Sequence, residues 1–127
     1  MSARVLVVDD VDVNVRLLEA KLSSEYFQVI PSFNGPTALE LADSEMPDII
    51  LLDVMMPRVS GLQACQQIRT LERKTGRRVP VLFLTARDTT HDKTSAALSG
   101  GDDFIAKPVS LQELREHVEA ALKKAKP

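Results

Sequence analysis

Short apolar segments recur along the chain and alternate with longer segments that have helical spacing. Three of the apolar segments, at 4–8, 48–52 and 79–84, are nearly continuous in Val, Ile and Leu. Runs of this kind are typical of strands buried on both faces, as in a parallel sheet covered by helices. Two weaker strands are predicted at 27–32 and 103–106.

The segments between the strands carry apolar residues on one helical face. Spacing of i, i+3, i+7 predicts amphipathic helices in the first and last of these segments. The residues that carry this spacing are Val15, Leu18 and Leu22, and Leu111, Leu114 and Val118. Ser110 followed by Glu113 is a capping box for the last helix, while Pro36 and Ser60 mark the starts of the second and third. A helix at 91–99 is the weakest prediction, because this stretch is short and poor in large apolar residues.

Five strands and five helices are therefore predicted in strict alternation. This order is typical of an α/β doubly wound fold, a (βα)5 three-layer sandwich with right-handed crossovers and helices on both faces of a parallel sheet. The chain has no internal repeat, low-complexity tract or linker, and its 127 residues match a common single-domain size. We therefore expect a single domain over residues 1–127.

Composition and charge narrow the classes of function. The net charge is −2 and no long run of one sign occurs, so nothing supports a nucleic acid or an anionic membrane as a direct partner. No apolar run approaches the ~20 residues that span a bilayer, and no signal-peptide pattern is present. The single cysteine, Cys65, has no partner at metal-ligand spacing and is expected to be a small buried hydrophobe. These features predict a cytoplasmic protein.

Polar residues follow four of the five predicted strands. Asp9 and Asp10 come after the first strand, Asp53 after the third, Thr85 after the fourth and Lys107 after the fifth. In open parallel sheets, binding sites form at the carboxyl ends of the strands, near the point where the strand order reverses. The sequence therefore predicts that these five side chains share one edge of the sheet.

The chemistry of this set points to phosphate and a divalent cation. Three converging carboxylates repel one another and raise at least one pKa unless a cation lies among them. Mg²⁺ prefers such oxygen ligands, keeps several waters and binds phosphate oxygens. Lys107 and Thr85 are suited to an added anion, as a point charge and a hydroxyl donor. An aspartate can itself be the nucleophile and form an aspartyl phosphate.

Each of these residues alone has an ordinary explanation. Asp9 or Asp10 could cap the next helix, Asp53 could be a turn residue, and Lys107 could simply belong to a loop. The joint occurrence of complementary side chains after four strands favours a functional site.

The motifs that surround these residues carry a resemblance that covers essentially the whole chain. They resemble the receiver domain of two-component response regulators, and the N-terminal half is most similar to the first receiver of diguanylate-cyclase response regulators. The resemblance implies a single receiver domain without an effector domain, and a flavodoxin-like sheet of order 2-1-3-4-5. The motifs are Val7-Val8-Asp9-Asp10, Leu51-Leu52-Asp53-Val54-Met55-Met56-Pro57 with Gly61, Leu84-Thr85-Ala86, and Phe104-Ile105-Ala106-Lys107-Pro108.

The resemblance also implies the roles of the acidic residues. Asp53 would accept a phosphoryl group from a histidine kinase or a histidine phosphotransfer protein. Asp10, Asp53 and the backbone carbonyl of Met55 would bind Mg²⁺, with Mn²⁺ as the alternative ion. Asp9 would act mostly through a metal-bound water. The protein would catalyse only its own phosphorylation and dephosphorylation, and would not be an enzyme otherwise.

Other positions would read the phosphoryl group or set its lifetime. Thr85 and Lys107 would bind its oxygens, and Phe104 would change rotamer when Thr85 moves, although plain core packing explains an aromatic there equally well. The peptide bond before Pro108 would be cis. Met55 and Arg87 would hinder water and lengthen the life of the phosphorylated form.

The switch would change a partner-binding surface that includes the segment 91–99. The sequence does not name the output protein, and a phosphorylation-dependent dimer through the last helices is a further expectation.

Two motifs suggest other functions. The stretch 100–104 nearly spells the diguanylate cyclase signature Gly-Gly-Asp-Glu-Phe, but that motif belongs to a domain larger than this chain. Asp10-Val11-Asp12 resembles the nucleophile motif of haloacid-dehalogenase-type phosphatases, with Asp10 as the nucleophile. In those enzymes the lysine precedes a late acidic pair, whereas Lys107 follows Asp102-Asp103 here. A phosphorylation-independent interaction module is the third alternative.

Overall fold

The computed structural model describes residues 3–56, 58–85, 99–107 and 109–125. Within these ranges the chain forms five parallel strands in the order 2-1-3-4-5. The strands are β1 (Arg4–Val8), β2 (Gln28–Ser32), β3 (Ile49–Asp53), β4 (Val81–Thr85) and β5 (Asp103–Ala106). The described helices are α1 (Asp12–Ser23), α2 (Gly35–Ser44), α3 (Gly61–Thr75) and α4 (Leu111–Ala125). The predicted fold class and strand order are confirmed.

The sheet separates two apolar layers, because alternate side chains of a strand point to opposite faces. Val5 and Val7 of β1 pack in the layer beneath α1 and α4, and Leu6 and Val8 pack in the layer beneath α2 and α3. Every residue of β3 and β4 is buried. The continuous apolar runs thus gave the correct prediction that these strands are covered on both sides.

Two predicted strand ends were one residue too early. Asp53 and Thr85 are the last residues of β3 and β4, whereas the sequence pattern placed them after the strands. The cause is strand pairing, since Asp53 lies opposite Leu84 and Thr85 lies opposite Ala106 in the parallel register. Both polar residues are therefore held by the sheet itself.

The caps define the helices that support the site. The Ser60 hydroxyl accepts from the Gln63 N–H at 3.2 Å, and the Gln63 side chain accepts from the Ser60 N–H at 3.0 Å, which is a complete capping box for α3. The Ser110 hydroxyl accepts from the Glu113 N–H at 3.1 Å, as the sequence predicts for the last helix. Of the helix predicted at 91–99, only Ser99 is described, and it lies in a turn; the rest of that prediction falls outside the described residues.

Cys65 lies fully buried in the layer beneath α2 and α3. Burial raises the pKa of its thiol to about 11. The thiol is thus a packed apolar group, as predicted. Among the helices that the structure describes, none has the length and hydrophobicity required to cross a bilayer.

A guanidinium ties α3 to the amino ends of β4 and β5. Arg69 donates to the carbonyl oxygens of Gly100 and Val79 at 2.8 and 2.7 Å. It also pairs with Glu72 at 2.7 Å and Asp102 at 2.8 Å, and its side chain is only 14% exposed. This network lies at the edge of the sheet opposite the predicted site, and it stabilises the amino ends of the two strands.

Candidate functional site

Three carboxylates meet at the carboxyl ends of β1 and β3. The strand order reverses between these strands, since β2 lies beyond β1 on one side and β4 beyond β3 on the other. Asp9 follows β1 directly, Asp10 is next, and Asp53 ends the neighbouring β3. One oxygen from each of the three lies within 4.8 Å of the others. The predicted acidic cluster is therefore formed at the switch point of the sheet.

The three carboxylates differ in exposure. Asp9 is 0% exposed and Asp53 is 4% exposed, while Asp10 is exposed to solvent. The cluster thus opens to solvent on the Asp10 side and is closed at its base. A set of carboxylate oxygens with one open side matches the ligands that Mg²⁺ takes in proteins. These residues therefore fit a divalent cation of this type.

A single ammonium lies between the two buried carboxylates. Lys107 Nζ is 3.1 Å from Asp9 Oδ2 and 3.1 Å from Asp53 Oδ1. Burial lowers the pKa of Lys107, but the charges and hydrogen bonds of Asp53 and Asp9 outweigh burial and raise it. For Asp53, burial and the nearby Asp9 charge raise the pKa, and the Lys107 ammonium offsets this only in part. An added cation would therefore favour the charged form of Asp53.

Two contacts hold the segment that carries the lysine. The backbone N–H of Lys107 donates to the Thr85 carbonyl at 2.7 Å, which joins the end of β5 to the end of β4. Lys21 of α1 donates its Nζ to the Val109 carbonyl at 2.7 Å. Lys21 was not predictable from the sequence, because a contact across 88 positions leaves no local pattern.

Asp9 does not cap the first helix. The N-cap of α1 is Val11, which makes no side-chain capping bond, and Asp9 Oδ1 accepts from the Val11 N–H at 2.9 Å. Asp9 Oδ2 accepts from Asn14 Nδ2 at 3.2 Å, in addition to Lys107. Asn14 is a second residue that the sequence pattern did not predict; its position in the first turn of α1 was the available signal. The capping explanation for Asp9 is therefore wrong.

Thr85 ends β4, the strand next to Asp53, whereas Phe104 lies inside β5, one strand further along the sheet. Thr85 is buried, and it is the residue after Leu84, the partner of Asp53 in the register. Phe104 pairs with Phe83 and packs, half-buried, against the layer beneath α2 and α3. Core packing of Phe104 is thus observed, and its change of rotamer stays a prediction.

The loop after β3 brings its backbone close to Asp53. The backbone of Met55 hydrogen-bonds to the Asp53 carboxylate and lowers its pKa, while the Met55 side chain is largely exposed. Arg87 and Pro108, the other predicted modulating and cis-peptide positions, lie outside the described residues.

Gly61, at the start of α3, lets this loop lie close to the helix. A Cβ on Gly61 would lie 2.8 Å from the Asp53 carbonyl carbon and 2.9 Å from Val54 Cα. Its N–H donates to the Val54 carbonyl at 3.0 Å. Glycine is required here because backbone occupies the space of a side chain.

Exposed apolar side chains lie on the two segments that follow the acidic residues in the chain. Val11, Val13 and Leu17 project from the start of α1 and its following turn, and Met55 projects from the loop after β3. We call these four side chains the apolar rim. Val11 follows Asp10, the solvent-facing member of the cluster, directly in the chain.

Comparisons with known proteins agree with this geometry. The family described as "Response regulator receiver domain" matches residues 5–119. The response regulator PleD of Caulobacter vibrioides is 50% identical over 109 residues, which are 86% of this chain and 24% of PleD. The response regulator MprA of Mycobacterium tuberculosis is 40% identical over 127 residues, which are 100% of this chain and 54% of MprA. The chain thus spans about a quarter and about half of these relatives.

Solved structures show the same fold. The receiver domain of the sensor histidine kinase PA1611 from Pseudomonas aeruginosa is 31% identical to this chain, with a TM-score of 0.87, and the match covers 97% of this chain and 99% of that one. That structure has a magnesium ion coordinated in its active-site cleft. The receiver domain of the Francisella response regulator 1452 is 31% identical with a TM-score of 0.86, covering 98% of this chain and 100% of that one.

Proposed function

Because the chain belongs to the receiver domains of response regulators, which act in phosphorylation-activated two-component signalling, we propose that Asp53 is its phosphoacceptor. The carrying observation is the position of Asp53. It is a buried carboxylate at the switch point, it contacts Lys107 Nζ at 3.1 Å, and one of its oxygens lies within 4.8 Å of those of two further carboxylates.

The proposed reaction is the transfer of a phosphoryl group from a phosphohistidine. An Asp53 oxygen attacks phosphorus, the P–N bond to the donor histidine breaks, and the electron pair stays on the imidazole nitrogen, which takes a proton. Lys107 contributes charge that stabilises the added phosphoryl oxygens, and the Thr85 hydroxyl donates to another of them. The residues 1–127 act in this proposal as one receiver domain.

The acidic cluster would hold Mg²⁺, or Mn²⁺ in its place. Asp10, Asp53 and the Met55 carbonyl are the proposed direct ligands, and Asp9 acts through a water. When bound, the ion neutralises charge on the phosphoryl oxygens. The exposure of Asp10 supports this assignment, because it leaves one side of the cluster open for the ion and the phosphodonor.

The phosphodonor is proposed to be a histidine kinase or a histidine phosphotransfer protein. Any donor that delivers phosphate to Asp53 must cover the mouth of the site, and the apolar rim belongs to the segments that follow Asp10 and Asp53 in the chain. Val13 and Leu17 are largely exposed on one face of α1, which suits packing against an apolar helix face. The modified domain would then signal to an output protein, or form a dimer, through a surface changed by Thr85 and Phe104.

The phosphatase alternative gains little from the geometry. It requires Asp10 as the nucleophile, yet the Lys107 ammonium contacts Asp9 and Asp53. Asp53 would have no role in such an enzyme. We therefore propose that the domain catalyses only its own phosphorylation and dephosphorylation.

Incubation with acetyl phosphate and Mg²⁺, followed by intact-protein mass spectrometry, tests the proposal. The wild type is expected to gain the mass of one phosphoryl group, and Asp53→Asn none. Asp12→Asn, on exposed α1 surface, is the matched control and should react like the wild type. Turnover of p-nitrophenyl phosphate that Asp10→Asn abolishes and Asp53→Asn spares would support the phosphatase instead.

A further inference from the structure

Asn14 and Lys107 bind the same oxygen of a fully buried carboxylate. Asn14 Nδ2 donates to Asp9 Oδ2 at 3.2 Å, and Lys107 Nζ contacts this oxygen at 3.1 Å. The other oxygen, Oδ1, accepts from the Val11 N–H. The side chain of Asp9 is 0% exposed, and these protein donors hydrogen-bond both of its oxygens.

Lys107 is a partner of Asp9 in this structure and the proposed partner of the phosphoryl group on Asp53. In this structure it contacts Asp9 and Asp53 at once. In the proposed function the ammonium binds the added oxygens once Asp53 carries a phosphoryl group, and this movement takes it away from Asp9. A buried carboxylate that loses a donor without replacement is strongly disfavoured.

We propose that Asn14 is a positioning residue for the phosphorylated state: its amide keeps Asp9 Oδ2 hydrogen-bonded while Lys107 moves to the phosphoryl oxygens. This inference rests on the proposed function. Asn14 acts only through Asp9 and Lys107, and it does not touch the phosphoryl group. Without the amide, Lys107 is the remaining side-chain donor to Asp9 Oδ2 among the residues that the structure describes, so the free-energy cost of moving the lysine increases.

The proposal predicts different effects on two ligands. Beryllofluoride, which mimics the acyl phosphate, recruits Lys107, so Asn14→Ala should weaken its binding at saturating Mg²⁺ by roughly tenfold or more, the typical effect of one hydrogen bond to a charged group. Mg²⁺ alone leaves the lysine on Asp9, so its affinity should change less than about threefold, as for a contact made through water. Both affinities can be measured by titrating ¹⁵N-labelled protein and following backbone amide shifts.

Two further variants separate the loss of the Asn14 N–H donor from changes in packing and in overall stability. Asn14→Leu keeps the size of the side chain but lacks the N–H donor, and it should bind beryllofluoride as weakly as Asn14→Ala. Asn34, the other asparagine of the chain, accepts from the Thr37 N–H at 2.8 Å and caps α2. Asn34→Ala should lower the melting temperature and leave beryllofluoride affinity unchanged.

Each result has a defined consequence. A selective loss of beryllofluoride affinity in both Asn14 variants supports the proposal. An equal loss of Mg²⁺ and beryllofluoride affinity in the Asn14 variants would show that the metal cluster is loosened, and would overturn the proposal. Wild-type beryllofluoride affinity in Asn14→Leu would show that Asn14 acts by packing, which also overturns the proposal. Wild-type beryllofluoride affinity in Asn14→Ala would overturn it as well. If the wild type itself failed to bind beryllofluoride with Mg²⁺, the proposed function would be overturned first.

Discussion

The ammonium of Lys107 lies 3.1 Å from Oδ1 of Asp53 and joins two residues that are 54 positions apart in the chain. The same ammonium contacts Asp9, so one cation compensates two buried carboxylates. The contact exists before any phosphoryl group is added. The lysine proposed to read the modification therefore also stabilises the unmodified site.

Replacing Lys107 should expose this second role. Lys107→Met leaves Asp9 and Asp53 buried without their counter-charge, and we expect it to lower the free energy of unfolding by about 3 kcal/mol. Asp53→Asn should recover part of this loss in the double variant, because it removes one of the two charges. Urea unfolding of the wild type, the two single variants and the double variant measures the coupling free energy between Lys107 and Asp53. If the two single changes in the free energy of unfolding simply add in the double variant, the contact between Lys107 and Asp53 makes no contribution to stability and this prediction is wrong.

The pH dependence of stability has a definite sign at Asp53. Burial and the Asp9 charge raise its pKa in the folded state above the unfolded value of 3.8. The native state then binds more protons, so this group lowers the free energy of unfolding as pH rises through the interval between the two values. Asp53→Asn should therefore gain stability relative to wild type across that interval. Urea unfolding of both proteins without Mg²⁺, at pH values below and above the interval, measures this gain. A difference in the free energy of unfolding that stays constant with pH would contradict the prediction.

Divalent cations should stabilise the fold through the acidic cluster. Mg²⁺ at about 100 times its dissociation constant should add about 2.7 kcal/mol to the free energy of unfolding, if it binds only the folded state. Asp10→Asn removes the exposed member of the proposed ligand set and should abolish most of this gain. Asp12→Asn, two residues along the chain and outside the cluster, should retain it. Thermal unfolding with and without Mg²⁺ distinguishes these outcomes.

The ion pairs of Arg69 with Glu72 and Asp102 should stabilise the fold without affecting ligand binding at the acidic cluster. The Arg69 side chain is 14% exposed, and Arg69→Met leaves Glu72 and Asp102 without their shared cation. We expect a loss of about 3 kcal/mol, while beryllofluoride affinity stays at the wild-type value because the network lies at the opposite edge of the sheet. Arg73→Met, on exposed helix surface, should change stability by less than about 0.5 kcal/mol. A large loss of beryllofluoride affinity in folded Arg69→Met would contradict the separation.

Much of the fold follows from the order of apolar segments. The runs that became β1, β3 and β4 are apolar on both faces, a pattern typical of strands in a covered parallel sheet. Asp9, Asp53 and Lys107 were predictable as neighbours, because the carboxyl ends of parallel strands share one edge.

The supporting contacts were not predictable in the same way. Asp9 and Asp10 are chemically identical neighbours, and only the path of the loop decides that one is buried and the other exposed. Lys21 meets Val109 through tertiary packing. Asn14 reaches Asp9 because α1 begins at Asp12 and turns the amide back, and a helix boundary is hard to locate from sequence to within one residue.

Reduction of the phosphorylated protein with borohydride tests the central claim most directly. An aspartyl phosphate is reduced to homoserine, and tandem mass spectrometry of the digested protein then locates the modified residue. After treatment with acetyl phosphate and Mg²⁺, we expect homoserine at position 53 in the wild type and none in Asp53→Asn. Homoserine at position 9 or 10, or at no position, would contradict the assignment of Asp53 as the phosphoacceptor.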